Sequence, residues 1–454
     1  PNNAETTTPA DKKQGRSEWS APRILQVARD NCKEVALALG DRAAEIAGNG
    51  LTGQQHGVVI IDDDLQPLTP FINWQDRRAE DPLGPGQPTC LQRARERLGQ
   101  DAPRRAGCSL AAGYLGATLY WMRLHDALPG RGSACFIMDF VAASLTGTKP
   151  ICEPTAAASS GLLDLRERNW DRSSLQSLGL RESLFPEIRE AGSSLGTLSQ
   201  AASAEIMCPA GTPVFIGLGD HQASVLGSVA EPAETVLVNV GTGGQVAAFV
   251  KDFRYQPPLE TRPYPGSGFL LVNAGLCGGR SQAALERFFR DVGAAVFDQE
   301  TEGRLFARMN ELAAKAPPGS DGLRCEPFFT GTRAEPERRA VWSGISAENF
   351  TPGHWTRALL EGMARTFREG FELIQAAAEK NFTRLVGSGN GLRDNPVLAQ
   401  AVADEFGMPL RVPTHREEAA FGAALHAGIG AGVFPHARAA GTLIRYHTIS
   451  RPAD

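Results

Sequence analysis

The chain has 454 residues, 42% hydrophobic and 21% charged, with 46 basic against 51 acidic side chains and a net charge of −5. That length predicts two or more domains, and the composition is that of a globular chain. Nothing in the near-balanced charge suggests a basic surface for nucleic acid, and no apolar run reaches the ~18 residues of a membrane span.

Residues 1–20 are polar without an apolar period, which predicts a flexible N-terminal segment over 1–21. Ile24, Leu25, Val27, Val35, Leu37 and Ile46 form an apolar stripe that predicts a helix over 21–47, stopped by Gly48-Asn49-Gly50. Residues 53–64 read as a loop entering a buried strand, and a second strand and loop follow. Gln55, His56, Trp74, Asp76 and Arg78 gather there. An aromatic face with amide, imidazole and carboxylate suits a ligand rich in hydroxyls, but loop polar groups satisfying their own backbone explain the same residues. The 136–145 run carries Asp139 on an apolar face, where it needs a partner, either a ligand or a structural donor.

The central stretch is 212–250. Pro213–Leu218 is apolar and β-rich, Gly219 permits a sharp turn, and Asp220 opens a helix. The 230–234 linker marks the expected boundary between a domain over 22–230 and another over 231–454. Thr235–Val240 and Gln245–Val250 read as strands around Gly241-Thr242-Gly243-Gly244. A strand over the start of 268–291 runs into a Gly278-Gly279 break and an amphipathic helix. Residues 356–378 form a strongly periodic helix. Thr383–Ser388 is a strand, 387–391 a turn, and 396–406 a helix with Asn395 at its cap and Pro396 in first position. The small residues of 417–434 suit close backbone packing. Strands alternating with helices predict an α/β architecture.

The eight cysteines form no CxxC pair and no metal-ligand spacing with histidine, which predicts reduced thiols, no metal site and a cytoplasmic location. Asp220 has two compatible explanations. Aspartate caps helices, and a carboxylate kept ionised by a helix dipole can accept a hydroxyl proton during phosphoryl transfer. The 241–244 turn is either an ordinary hairpin or a place where backbone N–H groups and the Thr242 hydroxyl meet phosphate. GSGNG at 387–391 is not GxGxxG. GxxxxGK[ST] and HExxH are missing, so P-loop ATPase and metalloprotease readings lack support. Three glycine breaks after strands in one domain favour a nucleotide.

GQQHG (53–57), WQDRR (74–78), GLGDHQAS (217–224), VNVGTGGQ (238–245), GTR with Pro336 (331–336), RALLEGMARTF (357–367), GSGNGLRDN (387–395) and EEAAFGAAL (417–425) together resemble the FGGY carbohydrate kinases. The resemblance runs from about residue 22 to about 434 and implies a two-domain actin/hexokinase/Hsp70-like ATPase (ribonuclease H-like) fold. Within the family the chain looks most like the branch that phosphorylates sedoheptulose to its 7-phosphate, with pentulose kinases of the xylulose type the nearest rival. The resemblance implies ATP and Mg²⁺ as cofactors, a ketose and a nucleotide as partners, and allows a homodimer. It makes Asp220 the catalytic base. It lines the sugar site with Gln55, His56, Trp74, Asp76 and Arg78, with Gln222 near it. It places Gly241, Thr242, Gly243 and Gly244 on the ATP phosphates and Gly278, Gly279, Gly389, Asn390, Gly391 and Asn395 around the nucleotide, with the domains closing on the sugar. Two departures stand out. The family's opening D-x-G-T hairpin, with its Mg²⁺-shell Asp, has no counterpart, which suggests a truncated sequence or a sugar-binding pseudokinase. Pro154 stands where related kinases carry Asp or Asn.

Overall fold

The computed structural model describes residues 4–300, 303–332, 335 and 337–453, so Arg333 and Pro336 of the 331–336 motif lie outside it. Two compact units divide the chain. The first takes the residues up to Ala230 with Thr261–Phe269 and Glu417–Leu443; the second takes Glu231–Glu260, Leu270–Arg416 and Ile444–Asp454. Two stretches beyond Ala230 thus rejoin the first unit, which a single cut in the linker does not anticipate. Packing explains both. The helix Glu418–Gly430 lies against the helix Asp220–Ser228 so closely that a Cβ on Gly422 would stand 1.9 Å from the Ala223 carbonyl oxygen, and one on Gly227 2.0 Å from that of Glu418. Arg262 anchors the other stretch: its guanidinium donates to the Ala158 carbonyl at 3.0 Å and to the Tyr114 hydroxyl at 2.8 Å.

The first unit is built from short strand pairs around one apolar core. Val59–Ile61 pairs antiparallel with Ser133–Cys135, and Ser194–Thr197 with Pro213–Phe215. Phe71, Ile137, Phe140, Val141, Val214 and Ile216 fill the space between them, with Ile24, Leu25 and Ala28 of the helix Ala21–Leu39 packed on the outside. That helix starts where Ser20 accepts the Arg23 N–H. The N-terminal segment, expected to be flexible, is tied down. Glu18–Trp19 pairs with Phe71–Ile72, Ser17 is buried, and Arg16 grips Asp81 with two hydrogen bonds of 3.1 and 2.6 Å. Backbone pairing and ion pairs do this, and neither leaves an apolar period to read.

In the second unit six strands of a seven-stranded sheet run in the order Phe269–Leu276, Gly244–Val250, Thr235–Val240, Arg384–Ser388, Leu410–Pro413, Tyr446–Ser450. The Thr235–Val240/Gly244–Val250 hairpin is antiparallel, and Thr235–Val240 pairs parallel with Arg384–Ser388, as that strand does with Leu410–Pro413. The helix Pro352–Ala378 buries Leu359, Leu360, Met363, Phe367, Phe371 and Ile374 at helical spacing. All eight cysteines are free thiols. Among the described residues, no helix is long and apolar enough to cross a membrane, and no group of three or more His, Cys, Asp or Glu side chains could hold a metal ion.

Candidate active site

Two parallel strand ends create the site in the first unit. Thr52–Gly53 pairs with Leu218–Gly219 in register, so the chain leaves the pair on one strand as Gln54-Gln55-His56 and on the other as Asp220-His221-Gln222. The C-terminal ends of parallel strands are where such sheets present ligand-binding groups. Gly219 is the residue this geometry demands: a Cβ there would sit 2.3 Å from the Gln55 Nε2.

Asp220 is the first residue of its helix and Gly219 is the cap, so the explanation of Asp220 as a helix N-cap does not hold. Its Oδ1 instead accepts the N–H of His221 at 2.8 Å. Burial pushes the carboxyl up to about 6, against the pull of backbone N–H groups at His221 and Gln55. Beside it, the Gln55 amide donates to the Gln222 side-chain oxygen at 2.9 Å and to the Thr155 carbonyl at 3.0 Å. His56 has φ 79°, a strained value for a side-chain-bearing residue and one that histidine tolerates better than most. Its N–H donates to Ser159 Oγ at 3.0 Å, and its Nδ1 lies 2.8 Å from the Ser159 carbonyl oxygen. A carbonyl only accepts, so Nδ1 carries the proton. The ring stacks flat on Tyr114, with centroids 4.1 Å apart at 10°. Arg262 in turn holds the Tyr114 hydroxyl.

The 71–81 loop divides into two roles. Trp74 is 41% exposed and presents its ring. Asp76 and Arg78 are buried and spent on structure. Asp76 accepts the Ser17 N–H at 2.8 Å, and its two oxygens take the Arg78 Nε and Nη2 at 2.8 and 3.0 Å. Arg78 reaches on to Glu18 at 2.5 Å and lies over the Trp121 ring at 5.1 Å. Asp139 is likewise a structural acceptor, taking the Phe136 N–H at 3.2 Å at the start of its own helix.

Sequence reasoning missed Glu153, Thr155, Ser159, Tyr114 and Arg262. Thr155 donates its hydroxyl to Glu153 and accepts the Gly219 N–H at 3.0 Å. These residues sit in stretches of small or apolar composition, and only the charge of Glu153 beside Pro154 could have drawn attention.

In the second unit, the three glycine breaks converge at one end of the Thr235–Val240 strand. The Gly279 and Arg280 N–H groups donate to the carbonyls of Gly241 and Thr242, each at 3.0 Å. A Cβ on Gly278 would stand 2.4 Å from Gly243, and one on Gly389 2.4 Å from the Val240 carbonyl oxygen. Gly241 and Gly243 are exposed, with no atom near the place of a Cβ on Gly241. Beside them starts the helix Gly279–Phe297, whose first two N–H groups are the ones given to Gly241 and Thr242. Asn390 is exposed, and Gly391 packs on Val240. Asn395 is engaged within the fold: its Oδ1 caps the Pro396–Phe406 helix through the Leu398 N–H, and its Nδ2 donates to Asn310.

This fold is shared with solved sugar kinases. Xylulose kinase from Rhodospirillum rubrum superposes with a TM-score of 0.84 at 24% identity, covering 100% of this chain and 88% of that one. The architecture is therefore that of a two-domain carbohydrate kinase. The family models of the FGGY carbohydrate kinase N-terminal and C-terminal domains match residues 2–227 and 240–431, and the chain belongs to that family of phosphotransferases with sugar acceptors. It is 29% identical to human sedoheptulokinase over 92% of this chain and 86% of that protein. It is 28% identical to autoinducer-2 kinase of Salmonella paratyphi A over 96% of this chain and 83% of that one.

Proposed function

We propose that this kinase transfers the γ-phosphoryl group of ATP to a hydroxyl of a ketose, with sedoheptulose the substrate and sedoheptulose 7-phosphate the product. The observation that carries the chemistry is Asp220, a carboxylate poised near pH 6 at the end of a parallel strand pair, flanked by the amides of Gln55 and Gln222. The likeness to human sedoheptulokinase supports the choice of sugar.

Gln55, His56 and Trp74 supply an amide, an imidazole and an aromatic face to the sugar, while Asp76 and Arg78 brace the loop that carries Trp74. Asp220 accepts the proton of the attacking hydroxyl. The sugar oxygen bonds to the γ-phosphorus, the bond from that phosphorus to the β–γ bridging oxygen breaks, and ADP leaves with the electron pair. The residues of the second unit fit a nucleotide. The glycines at 278 and 389 let the chain pass close to the backbone of Gly243 and Val240, and the 241–243 turn stays exposed, where its backbone N–H groups and the Thr242 hydroxyl would meet phosphate. Mg²⁺ bound with ATP would neutralise phosphate charge. Among the described residues no cluster of three potential ligands holds it, so no step is assigned to the ion.

The test is an ADP-release assay with a panel of ketoses. The highest kcat/KM is expected with sedoheptulose. A higher value with xylulose would replace the substrate, and no sugar-dependent ADP release with any ketose would remove the proposal.

A further inference from the structure

A buried carboxylate lies two hydrogen bonds behind the base. Glu153 is 0% exposed. Its Oε2 accepts both the N–H of Thr155, at 2.6 Å, and the Thr155 hydroxyl. The hydroxyl has one proton, and that proton points at Glu153. Its lone pairs are therefore left to accept the Gly219 N–H at 3.0 Å. Gly219 is the residue immediately before Asp220 and the cap of its helix. The Thr155 carbonyl holds the Gln55 amide, which also reaches Gln222. One carboxylate thus sets the direction of a chain of donors ending at the backbone that carries the base. The other oxygen of Glu153, Oε1, has no hydrogen-bond partner among the described residues, although it is buried. A buried carboxylate with an unpartnered oxygen costs stability.

We infer that Glu153 is a positioning residue for Asp220, acting through the Thr155 hydroxyl, and that its ionised form is the one that supports turnover; this rests on the reading of Asp220 as the base. A proton on Glu153 goes to the unpartnered Oε1 and leaves Oε2 a neutral acceptor, which weakens both Thr155 hydrogen bonds and loosens the hold of the hydroxyl on the Gly219 N–H. The charged groups around Glu153 act in both directions. Arg168, itself paired with Glu190 at 2.5 Å, favours the ionised form, whereas Glu190 and the buried Asp139 oppose it. Burial pushes Glu153 up to about 7, close to the working range of such an effect. Asp220 and Glu153 then both have to be ionised for full activity.

The experiment is a profile of kcat against pH for the full chain and three variants. In the wild type the acid limb is expected to fall with a slope near two on logarithmic axes. Glu153→Gln carries the neutral acceptor permanently and cannot titrate, so its kcat at neutral pH is expected to be lowered and its acid limb to fall with a slope near one. Thr155→Val removes the relay hydroxyl and is expected to lower kcat about 10-fold, with the KM for sugar within about twofold, because the Thr155 carbonyl still holds Gln55. Thr155→Ser restores the hydroxyl and is expected to recover most of that loss, a rescue that simple packing at this position would not give. If Glu153→Gln does not fold, the two Thr155 variants decide the matter. A wild-type acid limb in Glu153→Gln, or a wild-type kcat in Thr155→Val, overturns the inference. Asp220→Asn separates the two readings. If it loses turnover while the Glu153 and Thr155 variants behave as wild type, the relay fails and the base stands; if it keeps turnover, the base itself is wrong.

Discussion

Asp220 is held between two opposed influences, burial that disfavours its charge and backbone N–H groups that favour it, and the balance near pH 6 leaves it ionised at neutral pH. Asp220→Asn removes the proton acceptor and keeps the shape. It is expected to lower kcat by roughly 10²–10⁴-fold while sugar affinity, read by titration calorimetry, survives. Because only the ionised form accepts a proton, turnover is expected to be lost as pH falls through about 6, not as it rises. Asp139 makes a different prediction. Burial pushes it up to about 8 in the folded chain, far above the ordinary carboxyl value of 3.8. The folded state therefore binds the extra proton, and this group's contribution to stability falls as pH rises between those two values. Asp139→Asn is expected to flatten that decline in thermal melts, and an unchanged pH dependence of the melting temperature would contradict it. The sequence showed Asp139 on an apolar helix face and left open whether its partner was a ligand. The Phe136 amide that receives it is three residues away in the chain, a local contact that periodicity does not reveal.

The helix that starts at Asp220 depends on its neighbour. Gly227 and Gly422 let the two backbones touch, and a methyl group at either meets a carbonyl oxygen at about 2 Å. Gly422→Ala is expected to cost about 1–3 kcal/mol by overpacking and to lower the melting temperature by several degrees. It should also lower kcat, because the helix carrying the base has to shift. A variant that melts and turns over like the wild type would show that the contact is looser than described. This element was partly legible: the small residues of 417–434 pointed to close packing. Their partner was not legible, because about 200 residues separate Gly227 from Gly422 and nothing local in either segment names the other. The 74–78 loop shows the reverse. Its polar residues suggested a ligand, yet Asp76 and Arg78 are spent on each other, on Ser17 and on Glu18. A side chain's type tells what it can bond, and only the fold tells what has already taken the bond.

At the scale of the molecule, the motifs read in chain order sort into two groups that each unit gathers by itself: 53–56 with 217–222 in the first, and 241–244, 278–279 and 389–391 in the second. Hydrogen exchange followed by mass spectrometry is expected to show sedoheptulose protecting the first set of amides and a nucleotide protecting the second. Protection of 53–56 by nucleotide alone would contradict that division. The α/β class was legible, and so were the stretches that each unit gathers, because glycine breaks and strand ends leave local marks. The return of 261–269 and 417–443 to the first unit was not, since it depends on Arg262 and on two glycines whose contacts are distant in sequence. The central claim is that this chain is a sugar kinase whose base is Asp220. The most direct measurement compares sedoheptulose-dependent ADP release by the wild type and by Asp220→Asn at neutral pH, with sugar binding measured on both. The account predicts turnover in the wild type, binding in both, and a fall of at least about 100-fold in the variant. Comparable turnover in the two proteins would contradict it.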